Sequence, residues 1–238
     1  MAEQLLSSRL DDSIPTIVIE SDGNPFFLRQ LTEHAKAGGV VIGIGELIAK
    51  RLTSLTPEER RLLEVLAVAG TPVSPAVLRD ASEIGECFVS VRSELINNAL
   101  MRATNSPDGA CTAYHDRIAD AIVKSLPPSR GREVHQRLAW ALDTAGDPDL
   151  ESVAVHFHCA GLIQEACSRG RLAAERASTA LAFDRSASLY ERVISWSNAS
   201  SAETSVLERA RAEALVNCGR CVEAARAFGR AMKDASPE

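Results

Sequence analysis

From His115 onward the sequence allows little besides helices packed on helices. Segments 130–145, 150–160, 163–181, 183–197, 203–218 and 221–234 each carry apolar residues at helical spacing. Short breaks divide them, at Gly146-Asp147-Pro148, Gly161, Ser197-Asn198 and Gly219. Short helices joined by short turns suggest a helical repeat array.

Composition supports this reading. Hydrophobic residues make up 45% of the 238 residues, enough for a real core, but only 4% are aromatic. Abundant alanine and leucine favour helix-on-helix packing with small contact residues. In the last segments Ala212, Leu215, Gly219, Cys221, Ala224, Phe228 and Ala231 fall at the offsets of a tetratricopeptide unit, with Pro237 near the expected stop. Phe183, Tyr190 and Val193 fit a second, degenerate unit. Cys221 is expected to fill a packing slot between the two helices.

The first half is more varied. Residues 1–12 read as the end of an amphipathic helix, while 14–19 fit strand or helix on pattern alone. Asn24-Pro25 starts a helix with Phe26, Phe27, Leu28 and Leu31 on one face. Gly38 to Gly45 reads as a glycine-rich loop, and helix resumes from Glu46 to about Ser54. Thr56-Pro57-Glu58-Glu59 combines a cap, a first-turn proline and two carboxylates, and Gly70 closes that helix. Ser74-Pro75 opens a second helix, and a third spans roughly 84–100 with Phe88, Val91, Leu95 and Ile96 inward. Met101–Thr104 and Ala110–Tyr114 then flank Asn105-Ser106-Pro107-Asp108-Gly109, a β-hairpin pattern. Three helices followed by a hairpin is the order of a winged helix. The expected fold is mainly α: a winged-helix domain with a small β-hairpin, then a tetratricopeptide-like array.

The net charge of -6 argues against nucleic acid, whose binders show a basic footprint. Six scattered cysteines (Cys87, Cys111, Cys159, Cys167, Cys218, Cys221) without a signal-peptide pattern predict reduced thiols in a cytoplasm. No apolar run approaches the roughly 20 residues that span a bilayer, so no membrane is expected.

Several segments together resemble a known family. Gly23-Asn24-Pro25-Phe26-Phe27-Leu28 with Gln30-Leu31 resembles a segment of bacterial STAND-type (signal-transduction AAA-related) ATPases. Arg51-Leu52 with Leu55, then Pro57-Glu58-Glu59-Arg60-Arg61-Leu62-Leu63 and Val68-Ala69-Gly70, is similar to a second. Tyr114-His115-Asp116-Arg117-Ile118, Ala121-Ile122, Ser125-Leu126-Pro127, His135 and Leu138-Ala139 are similar to a third. The ordered series reaches about residue 197. It implies a truncated helical lid over 1–50, a winged helix over 51–128 and tetratricopeptide-like repeats over 129–238. It also implies that Ile14–Glu20 is helical. In that family these parts follow an ATP-binding core, in large regulators and behind kinase or cyclase domains. Gly23, Asn24 and Pro25 resemble the lid motif beside the adenine ring, so ATP or ADP is implied for the parent family once a core domain is supplied.

The departure is equally plain. No G-x-x-x-x-G-K-[ST] loop exists: Gly38, Gly39, Gly43 and Gly45 precede no Gly-Lys-Ser/Thr, and Ile48 stands where G-x-G-x-x-G needs glycine. The sequence therefore gives no catalytic residue and no cofactor held by this chain alone. The first reading is a protein-interaction and autoregulatory module that docks on a nucleotide-binding core or kinase domain. Its array would hold a protein or peptide, with Arg171, Arg176, Arg185, Arg192 and Arg211 flanking alanine-lined grooves suited to an acidic segment.

Two alternatives remain. A DNA-binding regulator would use the third winged-helix helix, which offers Arg92, Asn97 and Asn98 but also Glu83, Glu86 and Glu94. An HD-type metal phosphohydrolase would use His115-Asp116 with His135 and Asp120, although Asp116 also suits a helix N-terminus. Cys218-Gly219-Arg220-Cys221 lacks the second pair that zinc needs. His156 and His158 point to different sides of one helix, so they cannot share an ion.

Overall fold

A computed structural model describes residues 14–21, 25–36, 44–146, 148–197 and 200–235. Helices dominate, and the described residues hold one two-stranded antiparallel sheet. The expected helix over 1–12 and the glycines at 38, 39 and 43 lie outside the described residues. Residues 14–21 form α1, so the segment whose pattern was open is helical, with Ile17 and Ser21 buried. Next come α2 (Pro25–Lys36), α3 (Ile44–Thr53), α4 (Pro57–Ala69), α5 (Pro75–Ser82) and α6 (Phe88–Asn97).

Capping explains where these helices begin and end. The Thr56 hydroxyl accepts from the Glu59 amide, and the Glu59 carboxylate accepts from the Thr56 amide at 2.8 Å. Gly70 closes α4 at φ 65, a left-handed conformation that favours glycine. The helix expected over 84–100 is shorter. Gly85 at φ 57 forces a 3-10 turn over Gly85–Cys87 first. Ala99 at φ 51 then turns the chain out of α6.

The hairpin pairs β1 (Met101–Ala103) with β2 (Cys111–Ala113), in the register Met101↔Ala113, Arg102↔Thr112 and Ala103↔Cys111. In its tip the Ser106 hydroxyl and the Asp108 carboxylate both accept from the Ala110 amide. A single bridge from Val73 to Cys111 ties the hairpin to the segment before α5.

The remainder is helical: α7 (Asp116–Ser125), α8 (Pro128–Asp143), α9 (Leu150–Ala160), α10 (Ile163–Thr179), α11 (Phe183–Trp196), α12 (Ser201–Asn217) and α13 (Cys221–Ala235). Among the described residues no helix is long and apolar enough to cross a membrane.

One buried cluster runs from Ile17 through Leu31, Ile48, Leu62, Leu78, Leu95 and Met101 to Leu138 and Ala141. The boundaries expected after residues 50 and 128 both fall inside it. Beyond α8 the interior divides into smaller clusters built largely of alanine. Helix α8 serves both sides: Leu138 belongs to the large cluster and Ala139 packs with Val153, Phe157 and Ala166. At the α10–α11 crossing Gly170 leaves room for Val193, whose Cγ2 would stand 2.6 Å from an added Cβ.

Candidate functional site

Successive helices of the array leave a cleft of about 1060 Å³ between α10 and α12. Its wall combines the turn before α10 (Gly161, Leu162), the first turns of α10 (Ile163 to Arg171), the end of α11 (Val193, Ser197) and the start of α12 (Glu203, Val206, Leu207). Val206 is 67% exposed, an apolar side chain that solvent reaches freely. The two helix starts here differ. Helix α12 opens on a capping box, in which the Ser200 hydroxyl accepts from the Glu203 amide and the Glu203 carboxylate accepts back. Helix α10 has Leu162 at its cap position, and no side chain caps its first amides. The start of α10 shares the cleft with the apolar side chains of Leu162, Ile163, Val206 and Leu207, with Arg171, and with the carboxylates of Glu165 and Glu203.

The structure does not gather the five arginines predicted from the sequence. Arg171 lines the cleft, with Glu175 3.7 Å away. Arg185 and Arg192 converge from α11 on Glu151 of α9, at 2.8 and 3.2 Å. Arg176 donates to the Pro148 carbonyl. Arg211 is nearly buried, pairs with Glu191 at 2.7 Å and lies 3.6 Å from Glu208. Four of the five thus bind other parts of the chain. The clasps recur along the array: Arg169 of α10 holds Asp143 of α8 with two bonds of 2.6 and 2.7 Å. Arg220, just before α13, reaches Asp184 of α11 at 2.6 Å. The contacts at Asp143, Glu151 and Asp184 each join a helix to the next but one, whereas Arg211–Glu191 and Arg230–Glu208 tie neighbouring helices. No spacing in the sequence signalled them, because helix pairing alone sets those partners.

Another group was missed for the same reason. His135 of α8 and His156 of α9 face each other with Nδ1 atoms 2.9 Å apart. Their ring centroids lie 5.1 Å apart, nearly the nitrogen separation plus a ring radius at each end. Each nitrogen therefore points along the line to the other, the geometry of an N–H···N hydrogen bond between opposite tautomers. A shared ion would need the two lone pairs to converge on a third point. Burial, helped by His135, lowers the His156 pKa to about 4, and burial lowers that of His135 too. His158 instead stacks on Trp196, with centroids 4.5 Å apart.

The remaining candidates stay dispersed. Gly23 and Asn24 lie outside the described residues, and Pro25 is the first residue of α2. His115 caps α7, its Nδ1 accepting from the Arg117 amide, with Asp116 in the first turn. Among the described residues no three histidine, cysteine or acidic side chains gather as a metal site. Cys221 is exposed rather than packed, and Phe228 is partly covered, with 36% of its surface exposed. The reason is rotation: α13 turns Ala224, Ala227 and Ala231 inward. On α6, Val89, Ser90, Ser93, Glu94 and Asn97 face water, while Arg92 donates to the Cys111 sulfur.

Comparison with protein-family models, with curated proteins and with solved structures finds no match.

Proposed function

We propose that this chain is a protein-interaction and autoregulatory module, built like the parts that accompany the core of a STAND-type signalling ATPase. It binds a protein segment in the cleft between α10 and α12. The observation that carries this is the cleft itself. It combines apolar lining (Leu162, Ile163, Val206, Leu207), uncapped amides at α10 and a single lining arginine, Arg171, with the carboxylates of Glu165 and Glu203 at its margins to set the register of a bound segment. An extended or helical segment could bury its apolar side chains there and place a carboxylate on the amides and Arg171.

The order α4, α5, α6, β1, β2 supports a winged-helix reading of the preceding unit, with Val73–Cys111 as its short third pairing. The outward face of α6 carries Glu94, with Glu86 exposed in the turn before it, and Arg92 is drawn toward the Cys111 sulfur, which favours a protein partner over phosphates. Docking of that unit on a nucleotide-binding core would complete the autoregulatory role. Gly23, Asn24 and Pro25 are the residues the family resemblance sets toward ATP or ADP.

A peptide-display selection on the whole chain tests the cleft. Selected peptides should lose about tenfold in affinity to Val206→Glu, an exposed position whose change leaves folding intact. Selections that return no binder, or binders indifferent to Val206→Glu, reject it.

A further inference from the structure

Helices α8 and α9 pack together as a hairpin that turns between Asp143 and Leu150. Near the turn it is tied by the grip of Arg169 on Asp143 and by Ala139 against Val153 and Phe157. Toward the open end stands the His135–His156 contact, about 10 Å along either helix from the turn. Helix α8 belongs to the large cluster and α9 to the array, so this hairpin is the joint between them.

Proton counting restricts what that contact can do. A neutral imidazole has one N–H and one bare nitrogen, whereas an imidazolium has two N–H groups and no bare nitrogen. With both rings neutral, one Nδ1 donates and the other accepts. His156 is buried and His135 only half-buried, so the first proton goes to His135. The bond survives it. His135 then donates from Nδ1, and His156 accepts on its bare Nδ1 while keeping its own proton on Nε2. The second proton has one place left, the Nδ1 of His156, which is the atom that closes the contact. Two N–H groups of two cationic rings would then meet across 2.9 Å.

The carboxylates on the surrounding helices are engaged elsewhere. On α4, Glu64 is held by Arg130 at 2.9 Å. On α5, Asp80 lies 3.6 Å from Arg79, and Glu83 lies 3.2 Å from Arg137. On α8, Glu133 binds both Arg130 and Arg137, Asp143 holds Arg169 of α10, and Arg132, one turn before His135, is exposed. On α9, Glu151 takes Arg185 and Arg192, His158 stacks on Trp196, and burial keeps Cys159 a neutral thiol. Glu165 of α10 lines the cleft. Burial lowers the proton affinity of both rings, and the neighbouring His135 adds to it at His156, which titrates at about 4.

We propose that the His135–His156 pair is an acid-operated latch, shut through the first proton and opened by the second, which splays the α8–α9 hairpin about its clasped turn. The array swings as a body. The cleft travels with it intact, because its walls all lie beyond α9.

The test uses the whole chain with its two tryptophans fluorinated, which gives two fluorine resonances. Trp140 of α8 meets Phe157 of α9 edge to face, with centroids 4.8 Å apart, and so reports on the joint. Its resonance is the one lost in Trp140→Phe. That resonance should hold still while His135 takes the first proton. Near pH 4 it should move, together with the nitrogen NMR signal of His156 Nδ1 as that atom gains a proton. Helicity by circular dichroism should not change in that step. His156→Gln and His135→Gln each leave one ring to titrate beside an amide that can donate or accept, so both should keep Trp140 in place. The proposal is overturned if Trp140 moves with the first proton, or moves without the His156 signal. It is also overturned if helicity is lost before or with the movement, or if a folded glutamine variant opens as wild type does. Where a variant does not fold, the wild-type signals decide alone.

Discussion

Between α1 and α8 the interior is made mostly of leucine, isoleucine and valine gathered in one cluster. Beyond α9 it is made mostly of alanine, in separate small clusters. A buried leucine removes far more apolar surface from water than an alanine does. The first region can therefore hold its helices by bulk alone. The array gains less at each crossing and adds directional contacts: Asp143 with Arg169, Glu151 with Arg185 and Arg192, Asp184 with Arg220, and Glu208 with Arg230. Charges spent on holding helices are not open to a ligand. Binding then falls to surfaces the clasps leave alone, such as the cleft beside α10.

The largest effect belongs to the helix both regions share. Leu138 is fully buried, and Leu138→Ala should cost about 3 kcal/mol. Because Ala139 on the same helix packs into the array, urea unfolding should shift as one transition. Two transitions, only one of them displaced, would break the picture of a shared helix.

The histidine pair gives the next largest effect, and it sharpens where α8 meets α9. His156 is held near pKa 4 in the folded chain, against about 6.5 unfolded. The unfolded chain therefore binds the proton first as pH falls. The stabilising effect is complete above about pH 6.5 and is lost progressively toward pH 4. Between pH 7 and pH 5 the loss should be about 2 kcal/mol. Urea titrations at the two pH values measure it, and His156→Gln should flatten the difference. An equal slope in that variant would assign the acid sensitivity elsewhere.

These pairings show what the sequence could and could not reveal. Helix positions were readable because caps and breakers act locally: Thr56 with Glu59, Gly70, Gly161 and Gly219 all sit where their chemistry predicts. The hairpin was readable for the same reason, from Pro107-Asp108-Gly109 between two short runs. The rotation of each helix about its axis was harder, so Cys221, expected in a packing slot, is exposed. The site was harder still. Arginine count and alanine content suggested a basic groove, but the acceptor of each arginine is fixed by helices 20 to 41 residues apart in sequence. The His135–His156 bond likewise spans 21 residues and has no local signature.

A smaller effect tests whether the array tolerates any added bulk at its crossings. Gly170→Ala in an exposed helix would gain about 1 kcal/mol from propensity. Here the new methyl meets the stiff, buried side chain of Val193 at 2.6 Å. The net result should be a loss of about 1.5 kcal/mol in chemical unfolding. A gain in stability would mean that α10 and α11 can slide apart, and that small-residue crossings do not fix the array.

The smallest effect bears on the clasps themselves. Asp143 is mostly buried, and Arg169 grips it with two short, parallel bonds between α8 and α10. Asp143→Asn keeps the shape and one acceptor but removes the charge, so the loss should be about 0.5 to 1 kcal/mol after solvent screening. Raising the salt concentration should shrink the difference between variant and parent, since exposed guanidinium edges are screened within about 8 Å at physiological ionic strength. The Arg29–Glu33 pair on α2, far more exposed, provides the contrast: Glu33→Gln should leave the unfolding midpoint unchanged. If the two changes proved equally silent, the clasps would be surface decoration. The alanine crossings would then have to hold the array unaided, and the arginines of α11 and α12 would be free to meet a ligand after all.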